Sequence, residues 1–133
     1  MLLPPDHEKT ERIEVVRIAD PRQAPRTDEL VGERIASWDA DPARKALALV
    51  AEAPAGDRGR CFTPRWGIRA HSAAGPLFRI SFRISFCYAC DGARLWGPAV
   101  PGELARVHPF DARSAPAREL LRRFEAGAGG GAA

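Results

Sequence analysis

The clearest pattern in the chain is an unbroken alternation of apolar and polar residues over positions 77–87. Apolar side chains stand at every second position, namely Phe78, Ile80, Phe82, Ile84 and Phe86. The positions between them hold Arg79, Ser81, Arg83, Ser85 and Cys87. Because successive residues of a strand point to opposite faces of a sheet, this pattern predicts an antiparallel strand with one buried and one solvated face.

A second alternating segment, residues 65–72, precedes it and predicts the other half of a hairpin. Ala73-Ala74-Gly75 lies between the two segments and suits a three-residue loop, whose last position favours glycine. On the buried face this loop predicts three pairs: Trp66 with Phe82, Ile68 with Ile80, and Ala70 with Phe78. On the solvated face it predicts three more: Arg69 with Arg79, Arg65 with Arg83, and Cys61 with Cys87.

Shorter patterns predict the remaining elements. Strands are expected at residues 13–19, 33–39 and 93–96. One helix should begin with Asp41 as its N-cap and Pro42 as its first residue, and run to Ala53. A C-terminal helix should begin at Ser114 and end at Gly127.

Together these elements predict an α+β fold, in which a small antiparallel sheet built on the central hairpin 65–72/77–87 carries two helices packed on one side. The expected organisation is a disordered N-terminus at 1–11, a single α+β domain at 12–126, and a flexible Gly-rich tail at 127–133.

Composition narrows the function classes. Hydrophobic residues make up 45% and charged residues 28% of the 133 positions, which is typical of a folded domain and not of a disordered chain. No apolar run approaches the roughly 20 residues that a membrane helix needs. The first residues lack the basic and apolar regions of a secretory signal, so we expect a cytoplasmic protein.

The charge is uneven along the chain. Residues 1–60 carry a net charge of −2 and residues 61–133 a net charge of +5. A basic half of this kind suits an anionic partner, although an ordinary solvated basic surface is the alternative interpretation. Nucleic acid is not the expected partner, because the chain has no dense Lys/Arg stripe with interleaved aromatic residues.

The predicted strand pairing places four arginines on the solvated face: Arg65, Arg69, Arg79 and Arg83. Like charges directly opposite one another destabilise a sheet, so something should offset them. Solvent together with carboxylates such as Asp91, Glu103 or Asp111 is one explanation. The other is a binding site for a phosphate, a carboxylated ligand or an acidic protein surface, since guanidinium groups match these anions.

The same hairpin brings Cys61 back towards Cys87 and Cys90, whose Cys-x-x-Cys spacing matches half of a zinc site. Zinc is therefore a candidate cofactor. His108 is the first candidate for the fourth ligand, followed by Asp91 or His71. Two alternatives remain open, because the three cysteines can be plain structural thiols, or Cys87 and Cys90 can form a redox pair or a disulfide.

The chain contains neither a phosphate-binding loop nor a nucleophile elbow. We therefore expect a non-enzymatic small cytosolic domain with no catalytic residues, in which a structural three-cysteine cluster accompanies an arginine-lined face for protein or anion contacts. The alternative is a thiol-dependent redox protein or enzyme that uses Cys87-x-x-Cys90, and a second alternative is a weak nucleic-acid binder. A cysteine nucleophile would be Cys61 or Cys87, with His71 or His108 as its base.

Two sequence segments carry a resemblance. Cys61-Phe-Thr-Pro-Arg-Trp-Gly-Ile-Arg, followed by Ser85-Phe-Cys-Tyr-Ala-Cys, resembles a group of small uncharacterised bacterial proteins with a Cys-Phe-x-Pro-Arg segment and a strand ending in Cys-x-x-Cys. The resemblance covers roughly residues 38–126. That group often has histidine where this chain has Trp66. The resemblance implies the hairpin and the thiol cluster, and it implies no activity.

Overall fold

Six strands and two helices make up the computed structural model, which describes residues 1–74 and 77–130. The strands are β1 (Arg12–Ile18), β2 (Gly32–Asp39), β3 (Trp66–Ala74), β4 (Leu77–Cys87), β5 (Gly92–Trp96) and β6 (Val107–Pro109). The helices are α1 (Ala40–Glu52) and α2 (Ala115–Gly130). Short 3-10 turns lie at His7–Lys9, Ala24–Arg26 and Gly102–Leu104.

The strands form one antiparallel sheet in the order β2-β1-β3-β4-β5-β6. Both helices pack on the same face, here called the inner face, where Val15, Ile68, Ile84 and Leu95 stand opposite one another in a single buried row. Phe124 of α2 joins the helices to this row. The predicted α+β fold, with its central hairpin and two helices, is confirmed.

The register of the hairpin differs from the prediction. Trp66 pairs with Phe86, Ile68 with Ile84, and Ala70 with Phe82, so each predicted partner in this stretch is displaced by four residues. Pairing continues to Ala74 and Leu77, which rules out Ala73 and Ala74 as loop residues. Gly75 lies outside the described residues. The error has a physical cause: the Phe-Arg-Ile-Ser tetrad repeats every four residues, so a four-residue shift matches the same apolar and polar side chains.

A β-bulge at Ser81 adds a second difference. Ala70 pairs with Phe82 and His71 with Ile80, which leaves Ser81 without a partner strand position. The Ser81 hydroxyl instead donates to the Ala70 carbonyl at 3.1 Å. Because paired residues share a face, Ile80 lies with His71 on the side opposite Phe82. The predicted single apolar face therefore holds for Phe82, Ile84 and Phe86 and is wrong for Ile80.

The helix ends also depart from expectation. Helix α1 begins at Ala40, and Asp39 occupies the N-cap position that the sequence assigned to Asp41. Helix α2 begins where predicted, with the Ser114 hydroxyl accepting the Ala117 amide at 3.4 Å. It then continues past Gly127 to Gly130, so the predicted end is wrong. The last three residues of the predicted tail lie outside the described residues.

Residues 1–11, expected to be disordered, instead pack against the domain. The Met1 nitrogen donates to the Ala53 carbonyl at 2.6 Å, and Pro4 and Thr10 are buried. The Glu11 amide donates to the His71 carbonyl at 2.9 Å, which extends the pairing of β1 with β3. Among the described residues, no helix has the length and apolar character needed to cross a membrane.

Candidate functional site: the outer face of the sheet and the cysteine corner

The face opposite the helices, here called the outer face, carries a row of polar side chains across four strands. Glu14 of β1 stands opposite Arg69 of β3, Arg69 opposite Arg83 of β4, and Arg83 opposite Trp96 of β5. Strand alternation places these residues together, since Glu14, Arg69 and Arg83 each have buried inner-face neighbours on both sides in sequence. Two of the four predicted arginines therefore do share this face.

Glu14 is the hub of the row, and its side chain is only 13% exposed. Its carboxylate accepts hydrogen bonds from His71 at 2.6 Å and Arg34 at 3.1 Å, and Arg69 lies 4.0 Å away. Burial opposes ionisation of this carboxyl. The hydrogen bonds from Arg34 and His71, with the charges of His71 and Arg69, outweigh that burial and hold the pKa of Glu14 below its ordinary value.

Arg69 and Arg83 are held differently, although they are direct neighbours. Arg69 donates to the Leu30 carbonyl at 2.6 Å and lies near Glu14. Arg83 has no carboxylate within 4 Å in the described part of the chain, and its Nε atom is buried without a hydrogen-bond partner. A buried donor of this kind costs free energy until something accepts its hydrogen bond.

The predicted solvated face is partly covered. The segment between β1 and β2 crosses it, with Leu30 packed against Gly67 and the Trp96 indole donating to the Asp28 carbonyl at 2.7 Å. Val16 and Leu30 are almost wholly buried in this small second core, and Ser85 is 2% exposed. The cover leaves Arg83 half-buried.

The carboxylates proposed to offset the arginines lie elsewhere. Asp91 accepts the Ala112 amide at 3.0 Å, and Asp111 accepts the Arg113 amide at 3.0 Å. Neither they nor Glu103 forms an ion pair with a sheet arginine among the described residues. The carboxylates that do serve this face are Glu14, which lies 4.0 Å from Arg69, and Asp28, which lies 3.4 Å from Arg94.

Arg65 and Arg79 stand apart from the outer-face row. Arg79 pairs with Ser72, and the bulge at Ser81 turns it to the side opposite Arg83, where it is exposed. Arg65 precedes β3 and is also exposed. The predicted oppositions of Arg69 with Arg79 and of Arg65 with Arg83 are wrong, because the displaced register opposes Arg69 to Arg83.

The three cysteines lie near one corner of the sheet, where β4 turns into β5. Cys87 and Cys90 are bonded to each other, with their Cα atoms 5.5 Å apart. They are 1% and 9% exposed. Cys61 is a free thiol and is exposed. It lies in the segment before β3, so its predicted strand pairing with Cys87 is wrong.

Two contacts tie the Cys61 segment to the bonded pair. The Gly59 amide donates to the Cys90 carbonyl at 2.7 Å. The Thr63 hydroxyl lies 3.9 Å from the Cys87 sulfur. Because a disulfide sulfur carries no hydrogen, the hydroxyl is the donor in this contact. Cys61 thus lies in sequence between one residue that contacts the Cys90 backbone and one that contacts the Cys87 sulfur.

The structure does not gather the predicted zinc ligands into one site. No three His, Cys, Asp or Glu side chains within the described ranges are arranged to hold a metal ion. His108 bonds through Nε2 to the Leu104 carbonyl at 2.7 Å, and His71 bonds to Glu14. Zinc coordination by Cys61, Cys87, Cys90 and His108 stays a prediction.

A cavity of about 330 Å³ opens beside the disulfide, between β3, β4 and α2. Its walls include Arg65, Tyr88 and Glu125. The Tyr88 hydroxyl donates to the Ala117 carbonyl at 2.8 Å. Burial and the Glu125 carboxylate raise the pKa of Tyr88, so its phenol stays protonated and acts as a hydrogen-bond donor.

Sequence reasoning missed the pairing of Glu14 with His71. Glu14 interrupts the apolar run Ile13-Glu-Val-Val, which marks it as an outer-face residue. That run does not indicate which strand lies beside β1, because β1 pairs with β3, and β2 and α1 lie between them in sequence. The sequence therefore offers His71 only as a candidate zinc ligand or as the base of a cysteine nucleophile.

Comparison with known proteins adds no relative to this geometry. No protein-family model matches the chain, and no significant match was found among curated proteins or solved structures. The resemblance seen in the Cys-Phe-x-Pro-Arg segment accordingly stays a prediction.

Proposed function

We propose that this protein is a non-enzymatic binding domain whose outer sheet face takes an anionic ligand, either a small phosphate or carboxylate or the acidic surface of a protein partner. One observation carries the proposal. Arg83 stands opposite Arg69 with a buried, unpartnered Nε atom and no carboxylate within reach in the described residues. The cytosol is its proposed location.

The charge balance of this face supports an anion. One carboxylate, Glu14, is shared by Arg34, Arg69 and His71, so it is already committed to other partners. Two directly opposed arginines repel each other across the sheet. A bound anion would offset that repulsion.

Guanidinium chemistry limits what the ligand can be. Arg presents its N–H groups in a planar fork that matches the oxygens of carboxylates and phosphates. Arg69 is anchored by the Leu30 carbonyl, and Glu14 holds Arg34 in place. These two arginines are therefore positioned before binding, which lowers the entropic cost of ordering them around a ligand.

The experiment compares two arginine variants that differ in their place in the fold. Arg83→Met removes the unpartnered guanidinium and keeps an apolar stem. Arg79→Met is the matched control on the opposite side of the same strand. Binding of inorganic pyrophosphate and of a short polyglutamate peptide is measured by calorimetry, and thermal denaturation is followed with each ligand.

At ten times its Kd, either ligand should stabilise the wild type by about 1.4 kcal/mol. For a domain of this size that raises Tm by about 4–7 °C. Arg79→Met should keep this rise and Arg83→Met should lose it. Equal binding by the two variants would refute the proposal. Preferential binding of duplex DNA, with a steep salt dependence, would favour the nucleic-acid alternative instead.

A second candidate function rests on the Cys87–Cys90 bond. Disulfides in cytosolic proteins are usually transient and serve catalysis or redox sensing. We propose reversible thiol–disulfide chemistry at this corner as the alternative to a purely structural role. Equilibration in glutathione buffers of graded potential, with the thiols trapped by alkylation, tests it. A disulfide that converts reversibly to two thiols supports the candidate, and protein that never forms the bond excludes it.

A further inference from the structure

We infer that Cys61 is the exchange partner of the Cys87–Cys90 disulfide. In this proposal the exposed Cys61 thiol carries reducing equivalents between solvent thiols and the buried bond. The inference rests on the second candidate function, reversible thiol–disulfide chemistry at the corner. It is independent of the anion site on the outer face.

Burial makes an internal partner necessary. Cys87 is 1% exposed and Cys90 is 9% exposed, so a thiol from solution has little access to either sulfur. Cys61 is exposed and free. Thiol–disulfide exchange requires a thiolate to reach one sulfur of the bond, and access limits the rate.

The loop geometry brings Cys61 to the pair. Gly59 and Thr63, two residues to either side of Cys61, contact Cys90 and Cys87 at 2.7 and 3.9 Å. Two residues of chain span at most about 7 Å. A disulfide needs Cα atoms within about 4.4–6.8 Å. The residues around Cys61 form no helix or strand, so a local shift of this loop suffices.

The exchange step leaves the number of bonds unchanged. The Cys61 thiolate attacks the sulfur of Cys90, the more exposed member of the pair. A Cys61–Cys90 bond forms, the Cys87–Cys90 bond breaks, and Cys87 leaves as a thiolate. The proton lost by Cys61 goes to solvent, and no oxidant or reductant is consumed in this step.

Thr63 has a place in the same step. Its hydroxyl already donates towards the Cys87 sulfur, and the same contact would stabilise Cys87 as the leaving thiolate. Thr63 is thus a positioning residue. A low-molecular-weight thiol such as glutathione then attacks the exposed Cys61 sulfur of the new bond, and a second glutathione releases it as glutathione disulfide. The net result is two new protein thiols, with the Cys61 thiol regenerated, and one molecule of glutathione disulfide.

Tryptic mapping can follow the exchange because cleavage separates the cysteines. Cys61 falls in the peptide 61–65, and Cys87 and Cys90 fall together in the peptide 84–94. Full-length oxidised protein is incubated with reduced glutathione, quenched with acid, alkylated and digested. The exchanged form appears as the two peptides linked to each other.

We expect the linked peptides in the wild type and not in Cys61→Ser. With glutathione at about 1 mM and a tethered thiol at an effective concentration of about 10 mM or more, reduction of the buried bond should be roughly tenfold slower in Cys61→Ser. Thr63→Val should slow exchange about threefold, since it removes one hydrogen bond to the leaving thiolate, and a less stabilised thiolate leaves more slowly. Thr63→Ser, which keeps the hydroxyl, should restore the rate.

A second pair of variants tests which sulfur is attacked. Cys87→Ser keeps Cys61 and Cys90 and should form their disulfide readily with oxidised glutathione. Cys90→Ser keeps Cys61 and Cys87 and should do so more slowly. Equal rates in this pair would overturn the assignment of Cys90 as the attacked sulfur.

The two levels of the hypothesis fail differently. If Cys61→Ser is reduced as fast as the wild type, and no linked peptides form, the role of Cys61 is refuted while reversible chemistry at Cys87 and Cys90 stands. If all three cysteines stay as free thiols under oxidising buffers, both are refuted. Thermal denaturation of Cys61→Ser, expected to match the wild type, shows that the variant is folded.

Discussion

Replacing Glu14 with Gln should weaken the fold and tighten anion binding together. The substitution keeps the shape of the side chain and removes its charge. Glu14 accepts hydrogen bonds at 2.6 and 3.1 Å from His71 and Arg34, at a side chain only 13% exposed. Hydrogen bonds to a charged group are each worth about 1.5–3 kcal/mol, and Gln retains part of this.

We therefore expect Glu14→Gln to lower the free energy of unfolding by about 2 kcal/mol. In a domain of this size that lowers Tm by about 6–10 °C. Glu33→Gln is the matched control, because Glu33 also bonds an arginine, Arg17 at 3.0 Å, but is 67% exposed. Exposed pairs contribute about 0–1 kcal/mol, so Tm should change little in the control.

The pH dependence gives an independent readout of the same residue. The pKa of Glu14 is lowered in the folded protein, so its ionised form stabilises the fold above the unfolded value of 4.5. This contribution is lost as the pH falls from there through the folded pKa. Glu14→Gln should lack that part of the acid-induced loss.

Urea denaturation between pH 2.5 and 7, with pyrophosphate titration at neutral pH, measures all three effects. Removal of the carboxylate leaves Arg69 and Arg34 without their shared partner, so pyrophosphate should bind more tightly. If Glu14→Gln is no less stable than Glu33→Gln, or binds pyrophosphate more weakly than the wild type, the charge balance described for the outer face is wrong.

Two further predictions test the frame that positions the site, both read from thermal denaturation by circular dichroism. Phe124→Ala should lower the free energy of unfolding by about 3–5 kcal/mol, because the ring is wholly buried. Its centroid lies 5.5–6.1 Å from those of Phe86, Trp66 and Trp38. A loss under about 1 kcal/mol would contradict the packing of α2. Gly97→Ala should lower the free energy of unfolding by about 2 kcal/mol. The φ of 137° at this position is strained for an L residue, and the Cβ of an alanine would stand 2.7 Å from the Phe82 Cα. Gly102→Ala, with nothing within 4 Å of its Cβ, is the control, and equal effects would count against this close approach.

Local pattern was enough to predict most elements of the sheet and both helices, because those signals are written in consecutive residues. The alternation of apolar and polar residues predicts strand β4, and Ser114 marks the start of α2. Strand β6 was not predicted, because its three residues, Val107–Pro109, are too few to show a period.

Register and strand neighbours were not predictable in the same way. The repeated Phe-Arg-Ile-Ser tetrad makes two registers equally good for side-chain matching, and the bulge at Ser81 leaves no signal in the alternation. The opposition of Arg69 to Arg83, and its consequence for Arg79, depends on both. The link between Glu14 and His71 depends on β1 pairing with β3, a contact between residues 57 positions apart.

At the cysteine corner, too, the local feature was predictable from the sequence and the contact from a distant segment was not. The spacing of Cys87 and Cys90 indicated that their thiols could meet, and the structure bonds them. Spacing could not distinguish a disulfide from half of a metal site, since both need two sulfurs within a few ångströms. The approach of Cys61 arises from loop contacts at Gly59 and Thr63, which no sequence period encodes.

The most direct test of the central claim observes the Arg83 Nε–H group itself. Nitrogen-15 NMR of arginine side chains, with Arg83→Met used to assign its resonance, would be recorded during titration with pyrophosphate. The proposal predicts that the Arg83 Nε–H resonance shifts and its exchange with water slows, while that of Arg79 stays unchanged. An Arg83 resonance that does not respond, or one that shifts no more than that of Arg79, would contradict an anion site on the outer face.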